Sequence, residues 1–252
     1  MPLTMTSHKA SFYRPLPQSS TFSFPSPASL DTPTISPTII NFHVGSEITT
    51  QYHWHTTHTE YLRVITGAAL IMVSGVSKIY TAKDGAAQVP RYARHEWMRF
   101  DRPARLLNEG QREAQEAYFQ EHGREDIEKL KGEDLIAEEW TDPADGQKEI
   151  FFRNIFSTLS EPQYQSNTSW LGEFWKTLQL MCVMWELDNY VVLVDFGGWR
   201  GGWRNLVEAA FTYGVMGFLI TLGRICGCKA VSEEYTPKHL IQTWESERPK
   251  SE

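Results

Sequence analysis

The chain has 252 residues, enough for one large domain or for a small barrel with additions, and either size buries a sizeable core. Its 24 basic and 31 acidic side chains leave a formal charge of −7, and residues 109–139, with eleven acidic and four basic, carry the whole imbalance. No basic stripe is left to hold nucleic acid, three late cysteines (Cys182, Cys226, Cys228) make no disulfide framework, and residues 1–37 lack a signal-peptide core, so a reducing, cytoplasmic setting is expected.

Residues 1–34 read as a flexible Pro/Ser-rich arm, since seven of the thirteen prolines fall by position 37 and little apolar surface offsets the cost of ordering. Thr38 to Val44 and Ile48 to His55 have strand texture. Alternation along the second places Thr49, Gln51, His53 and His55 on one face, turned inward, with Tyr52 and Trp54 on the other, packing on another sheet or a partner. Gln51 then either contacts a substrate or hydrogen-bonds a neighbouring side chain. Thr56 to Thr59 is a polar turn containing His58, which reads either as an exposed turn histidine or as a general base or alternative ligand. Glu60 opens another alternating run, sharing its face with Leu62 and Val64.

Ala68 to Val76 and Lys78 to Ala82 form a hairpin turning near Ser74-Gly75, and Lys83-Asp84-Gly85 is a further turn. Val89 to Phe100 reads as the strand carrying His95, with Trp97 as an aromatic wall and Arg99 as an oxygen-binding group on the same face. A one-residue slip gives those roles to Glu96 and Met98 instead. Residues 109–131 are one or two helices, either a solvated face or a lid. Leu135 to Trp140 returns to strand, Thr141 to Gly146 turns, and Glu149 to Ser157 is expected as a closing strand, with Phe151, Phe152 and Phe156 in the core and Arg153-Asn154 structural. Beyond Pro162 come helices over about 165–230: a stripe from Trp170 to Asp195, a Gly/Trp-rich turn to Arg204, and the apolar run Leu206 to Gly227. That run has fifteen uncharged residues between Glu208 and Arg224, short of the ~20 that span a bilayer, so 206–227 either packs within the protein or a dimer or associates with a membrane surface. Residues 231–252 are a tail.

Two imidazoles two positions apart on one strand, His53 and His55, with a carboxylate on the next, Glu60, make a metal half-site; N/O donors of this kind suit Fe, Mn, Ni, Zn or Cu. His95 is the candidate third imidazole from a later strand.

These residues resemble the cupin motifs. The first is a glycine, H-x-H, a glutamate and a closing glycine, here Gly45, His53, His55, Glu60 and Gly67; the second has a proline five residues before its histidine, here Pro90 and His95. Tyr92 departs from the pattern, which has glycine two after the proline, and Gly67 and Gly85 lie eighteen apart, a short separation typical of the family. The resemblance covers about residues 36–157. It implies a mainly β fold: a single jelly-roll barrel over 35–160, carrying the acidic insertion at 109–131 and a C-terminal α-helical extension. It also implies one divalent transition metal on His53, His55, Glu60 and His95, and a homodimer in which Phe22 and Phe24 pin the arm across the neighbouring subunit. The helical tail, with G-R-I-C-G-C-K-A-V-S-E-E-Y-T-P, is similar to the segment beyond the barrel in small cupins of fungal secondary-metabolite gene clusters.

Three imidazoles and a carboxylate leave two positions open on an octahedral ion, enough for a bidentate substrate or for substrate and dioxygen. Fe(II) or Mn(II) suits an oxygenase; Zn or Ni acts as a Lewis acid. The expectation is a metal-dependent enzyme on a small polyketide- or terpenoid-like molecule, foremost an oxygenase, with Glu60 and His58 as catalytic candidates and Gln51, Trp97 and Arg99 binding substrate. The alternatives are an isomerase, cyclase or decarboxylase that needs no dioxygen, and a non-catalytic metal-binding scaffold.

Overall fold

A computed structural model describes residues 3–25, 36–165, 169–195 and 203–247. Its framework is two antiparallel sheets. The first runs, edge to edge, β1 (Ser11–Arg14), β2 (Ser20–Ser23), β3 (Thr38–Phe42), β10 (Leu135–Asp142), β5 (Thr59–Thr66) and β8 (Ala86–Val89). The second runs β11 (Tyr190–Val191), β4 (His53–Trp54), β9 (His95–Arg99), β6 (Ala68–Val73) and β7 (Val76–Thr81). Inward residues of both meet in one core: Ile40, Phe42, Leu62, Val64, Leu135 and Ala137 from the first, Ala69, Ile71 and Trp97 from the second. Alternation is clean on β10, where Leu135, Ala137, Glu139 and Thr141 are buried. It is lost on β6, buried from Ala68 to Met72, because the outer face of that sheet is covered too. The cover is α1 (Glu109–Glu121) and α2 (Arg124–Lys131), whose Tyr118, Phe119, Ile127 and Leu130 pack on Leu70, Ile79, Met98 and Phe100. The acidic insertion is therefore solvated on one side only.

Four expectations are corrected. The proline-rich start is not a free arm: β1 and β2 form a hairpin that extends the first sheet beside β3, and Phe12, Phe22 and Phe24 lie in this chain's own core rather than on a neighbour. Prolines flank those strands and hide a pattern of alternating phenylalanines; the stretch 26–35 lies outside the described residues. Second, 149–157 is no strand. It belongs to α3 (Gln147–Ser160), buried on nearly every side; because Gln147, Lys148, Arg153, Asn154, Ser157 and Thr158 are buried along with its apolar residues, polarity shows no period by which strand and helix can be told apart. Third, Ile48 to His55 is not one continuous strand, because Gln51 takes φ 63° and only β4 remains regular. Fourth, the segment after 231 is no simple tail, since α7 (Lys238–Glu247) buries Leu240 and Trp244 in the main core.

The C-terminal extension comprises α4 (Pro162–Gln165), α5 (Trp170–Glu186), β11, α6 (Trp203–Ile225) and α7. α5 and α6 pack through Leu178, Cys182 and Ile220, and a Cβ at Gly223 would lie 2.7 Å from Cys182 Sγ, so glycine is what lets the helices approach there. Cys182, Cys226 and Cys228 are all free thiols. The Gly/Trp-rich turn expected at 195–204 lies largely outside the described residues.

Candidate metal centre

β4 pairs with β9 through His53 and His95, which sets the two imidazoles side by side with ring centroids 4.1 Å apart. His55 follows on the same strand side, 4.9 Å from His53 and 5.1 Å from His95. Glu60 enters from the start of β5, in the opposite sheet. One donor atom from each of these four buried side chains lies within 4.8 Å of the others, the span of a single coordination sphere.

Each imidazole is oriented through Nδ1 by a main-chain carbonyl: His53 by Gln51 at 2.8 Å, His55 by Asp188 at 2.6 Å, His95 by Ala93 at 3.0 Å. A carbonyl only accepts, so Nδ1 carries the proton and Nε2 presents a lone pair to the centre. Burial and the neighbouring imidazoles hold His53 well below its ordinary pKa, and burial with the Lys148 charge lowers His55, so both rings are neutral. Yet His55 Nε2 lies 3.0 Å from Glu60 Oε2, two acceptors facing one another, and His95 Nε2 lies 3.3 Å from Glu60 Oε1 without hydrogen-bond alignment. A buried ring nitrogen with no hydrogen-bond partner is costly unless a cation completes it. The donor set fits a divalent transition metal of the Fe, Mn, Ni or Zn type.

Sequence reasoning missed the groups bordering this quartet. Lys148, at the start of α3, donates through Nζ to Glu60 Oε2 and, at 2.9 Å, to Glu139 Oε1. Glu139 also accepts from Trp97 Nε1 at 3.2 Å. Burial works against the Lys148 charge, but Glu139 and Glu60 more than reverse this and raise its pKa. Burial would raise Glu60 as well, but Lys148 and His95 hold it well below the carboxylate range. Glu139 is pushed up to about 7, by burial first and then by the Glu60 charge, with Lys148 opposing. Its inward position between Ala137 and Thr141 was readable as a carboxylate on a core-facing parity; Lys148 had no signal once its segment was read as turn and strand.

Four proposed site residues have other roles. Gln51's side chain is exposed, and only its carbonyl serves, on His53. Trp97 is stacked on Phe42, with centroids 4.4 Å apart, as a core residue. Arg99 keeps the expected face but is fully engaged by Asp101 and the carbonyls of Phe42, Lys131 and Glu133. His58 is neither exposed nor at the centre: it is buried between Asp188 and Asp145, with each carboxylate 3.1 Å from a ring nitrogen. Burial lowers its pKa, but the two carboxylates override this and push it up to about 9. Asp188 also accepts from the backbone N–H groups of Thr56 and Thr57; the hydrogen bonds from His58 first, then from the Thr56 and Thr57 hydroxyls, keep its pKa well below the usual range despite burial. Trp54 does pack outward, against Tyr190 and Tyr213 of the extension. Tyr92, in place of the motif glycine, takes φ 65°, the left-handed conformation a glycine would adopt freely.

Beside the quartet lies a cavity of about 10 Å³, room for a single water, lined by His55, His58, Thr141, Lys148, Leu187 and Asn189 among others. A cavity of about 190 Å³ opens on the first sheet's side, where β3 begins only at Thr38 and so leaves β10 without that neighbour beyond Glu139. Glu139 and Lys148 border it together with Pro37, Trp140, Ala144 and Gly146.

The strand order and the four converging donors are those of a cupin-type barrel, and the site fits a metal-dependent cupin. No protein-family model and no curated protein matches the chain. Among solved structures, the capsular polysaccharide assembling protein CapF of Staphylococcus aureus aligns at 13% identity over 52% of this chain and 30% of its own, with a TM-score of 0.30. A putative sugar phosphate isomerase of Acidithiobacillus ferrooxidans aligns at 13% over 49% and 58%, with a TM-score of 0.28. The cupin domain of Schizosaccharomyces pombe Cnp3 aligns at 10% over 56% and 68%, with a TM-score of 0.24. The match spans less than two thirds of the first two proteins, and scores this low carry no argument beyond the topology and site already described.

Proposed function

We propose that this protein is a metal-dependent enzyme that moves a proton on a small enolisable molecule, such as a polyketide- or terpenoid-like carbonyl compound, without consuming dioxygen. The observation that carries this reading is the buried Lys148–Glu139 pair beside Glu60. A divalent ion held by His53, His55, Glu60 and His95 would supply Lewis-acid chemistry and a positive charge beside the Glu60–Lys148 contact. Lys148, cationic throughout the neutral range, donates to the oxygen on which charge develops. Glu139, with a pKa near 7, is suited to take a proton from the adjacent carbon and return it elsewhere. Trp97 Nε1–H holds Glu139 in place. The neighbouring cavity of about 190 Å³ admits a small molecule of roughly six non-hydrogen atoms, judged against about 30 Å³ per water. Its charges pair off, Arg63 with Glu138 and Lys148 with Glu139, which favours a neutral substrate over a phosphorylated one.

The donor set of three nitrogens and one oxygen favours a second reading, an Fe(II)- or Mn(II)-dependent oxygenase. The test is to load the protein with Mn, Fe or Zn and incubate it with a panel of 1,3-dicarbonyls and phenols in deuterated water, in air and under nitrogen. Deuterium uptake that persists under nitrogen and disappears in Glu139→Gln supports proton transfer. Consumption that stops under nitrogen, with labelled oxygen entering product from O₂, transfers the assignment to the oxygenase. Stoichiometric metal with no turnover of any compound leaves the non-catalytic scaffold.

A further inference from the structure

The face of α6 turned away from the barrel is apolar, exposed and periodic. Phe211, Phe218 and Ile225 recur every seven residues, and Val207, Gly214 and Thr221 interleave, so the spacing along the helix is 4-3-4-3-4. This is the a/d seam of a helix that packs lengthwise on another helix, with large residues at one position and small ones at the other. Phe211 is 49% exposed, Phe218 67% and Ile225 78%, and Trp203 and Leu206 extend the patch at 72% each. A Cβ at Gly214, the midpoint of the helix, meets nothing within 4 Å, and the Thr221 hydroxyl is bonded to the Gly217 carbonyl, leaving its methyl outward.

We propose that a second copy of this chain covers this seam, with α6 packed antiparallel on its counterpart about a two-fold axis near Gly214. In that arrangement Phe211 lies beside the second copy's Phe218, and Val207 beside its Thr221, so one patch is complementary to itself, as an isologous contact requires. The exposed parts of Trp203, Leu206, Val207, Phe211, Phe218 and Ile225 sum to roughly 800 Å², the area each partner contributes to a standard stable interface.

A bilayer is the competing occupant, because Asn205–Ile225 is long and apolar enough to cross one. Two observations weigh against it. The opposite face of α6 is held in the protein by Thr212, Met216 and Ile220, and by Glu208, which forms a buried ion pair with Arg94; spanning would carry Glu208 into hydrocarbon and leave Arg94 without it. Lying on an anionic surface calls for a cluster of basic residues, whereas residues 205–223 contain none and Arg224, at the end of the run, is already paired with Glu186 at 2.8 Å.

The test is sedimentation velocity of the full chain, with flotation on phosphatidylcholine vesicles run beside it. Wild type is expected at twice 29.0 kDa and absent from the vesicle fraction, while Phe211→Asp and Phe218→Asp sediment as monomers with unchanged metal content. Gly214→Cys, in a Cys226→Ser background that removes the exposed native thiol, is expected to form an intermolecular disulfide on mild oxidation. A monomeric wild type, a dimer that survives both Asp substitutions, or flotation of wild type with vesicles would each overturn the proposal. Failure of the metal-loading experiments would leave it untouched.

Discussion

Replacing Lys148 with methionine separates the charge balance of the metal-free site from that of the loaded one. In the protein without metal, the Lys148 ammonium lies against two buried carboxylates, Glu60 and Glu139. At the 2.9 Å contact with Glu139, and an effective dielectric of about 20, the attraction is about 6 kcal/mol before desolvation is subtracted. Removing one partner of such a buried pair typically costs about 3–5 kcal/mol, because the remaining charge has no counter-ion. A bound divalent ion replaces much of that positive charge at Glu60. Lys148→Met is therefore expected to destabilise the metal-free protein by about 3–5 kcal/mol and the loaded protein by roughly half as much or less. Adding Glu139→Gln removes the second orphaned carboxylate and should recover about 1–2 kcal/mol of the metal-free loss. The assay is urea denaturation of wild type, Lys148→Met and the double variant, each after chelation and after saturation with Zn(II) or Mn(II). Equal losses with and without metal, or a double variant no more stable than the single, would refute the charge balance described.

His53→Ala and His95→Ala should each lose stoichiometric metal by elemental analysis, with Glu60→Ala losing it less completely, since one ligand of four is dispensable in some sites. His58, whose folded pKa of about 9 exceeds the ordinary 6.5, contributes stability that is fully present below pH 6.5 and lost as pH rises through about 9, at most about 3 kcal/mol. Chemical denaturation from pH 6 to 10 should show that decline, and His58→Gln should flatten it. Two glycines with the same φ of 75° make a matched pair: a Cβ at Gly67 would lie 2.7 Å from the Asp134 carbonyl oxygen, and one at Gly85 would meet nothing. Gly85→Ala should cost about 1 kcal/mol from backbone strain alone, and Gly67→Ala about 2 kcal/mol more; similar melting temperatures for the two would contradict the close approach.

What could be read from the chain depended on whether local pattern and tertiary context agreed. The two-residue spacing of His53 and His55, the carboxylate at the head of an alternating run and the position of His95 are period-two features, and the pleat turns such spacings directly into geometry. The same logic failed at Gln51, because a single left-handed residue resets the alternation, and nothing in T-T-Q-Y-H announces it. The helix at 147–160 was missed because its surroundings bury almost every side, polar residues such as Lys148, Arg153 and Asn154 included, so polarity does not mark an outer face. Lys148 was lost with it. His58 looked like a turn residue because its partners, Asp145 and Asp188, are 87 and 130 positions away. Pairing across such separations has no trace in local composition.

The strand pairing of β11 has a consequence for how far the barrel can be trimmed. β11 lies beside β4, its Val191 opposite His53, while the main chain of Asp188 fixes His55 and the Asp188 carboxylate anchors the loop that leads to Glu60. The helical extension is thus the scaffold on which half of the ligand set is held at its working angle. A fragment ending near residue 160 would retain every coordinating side chain and still lack the groups that aim them, so the smallest piece able to keep an ion in place has to run through Val191.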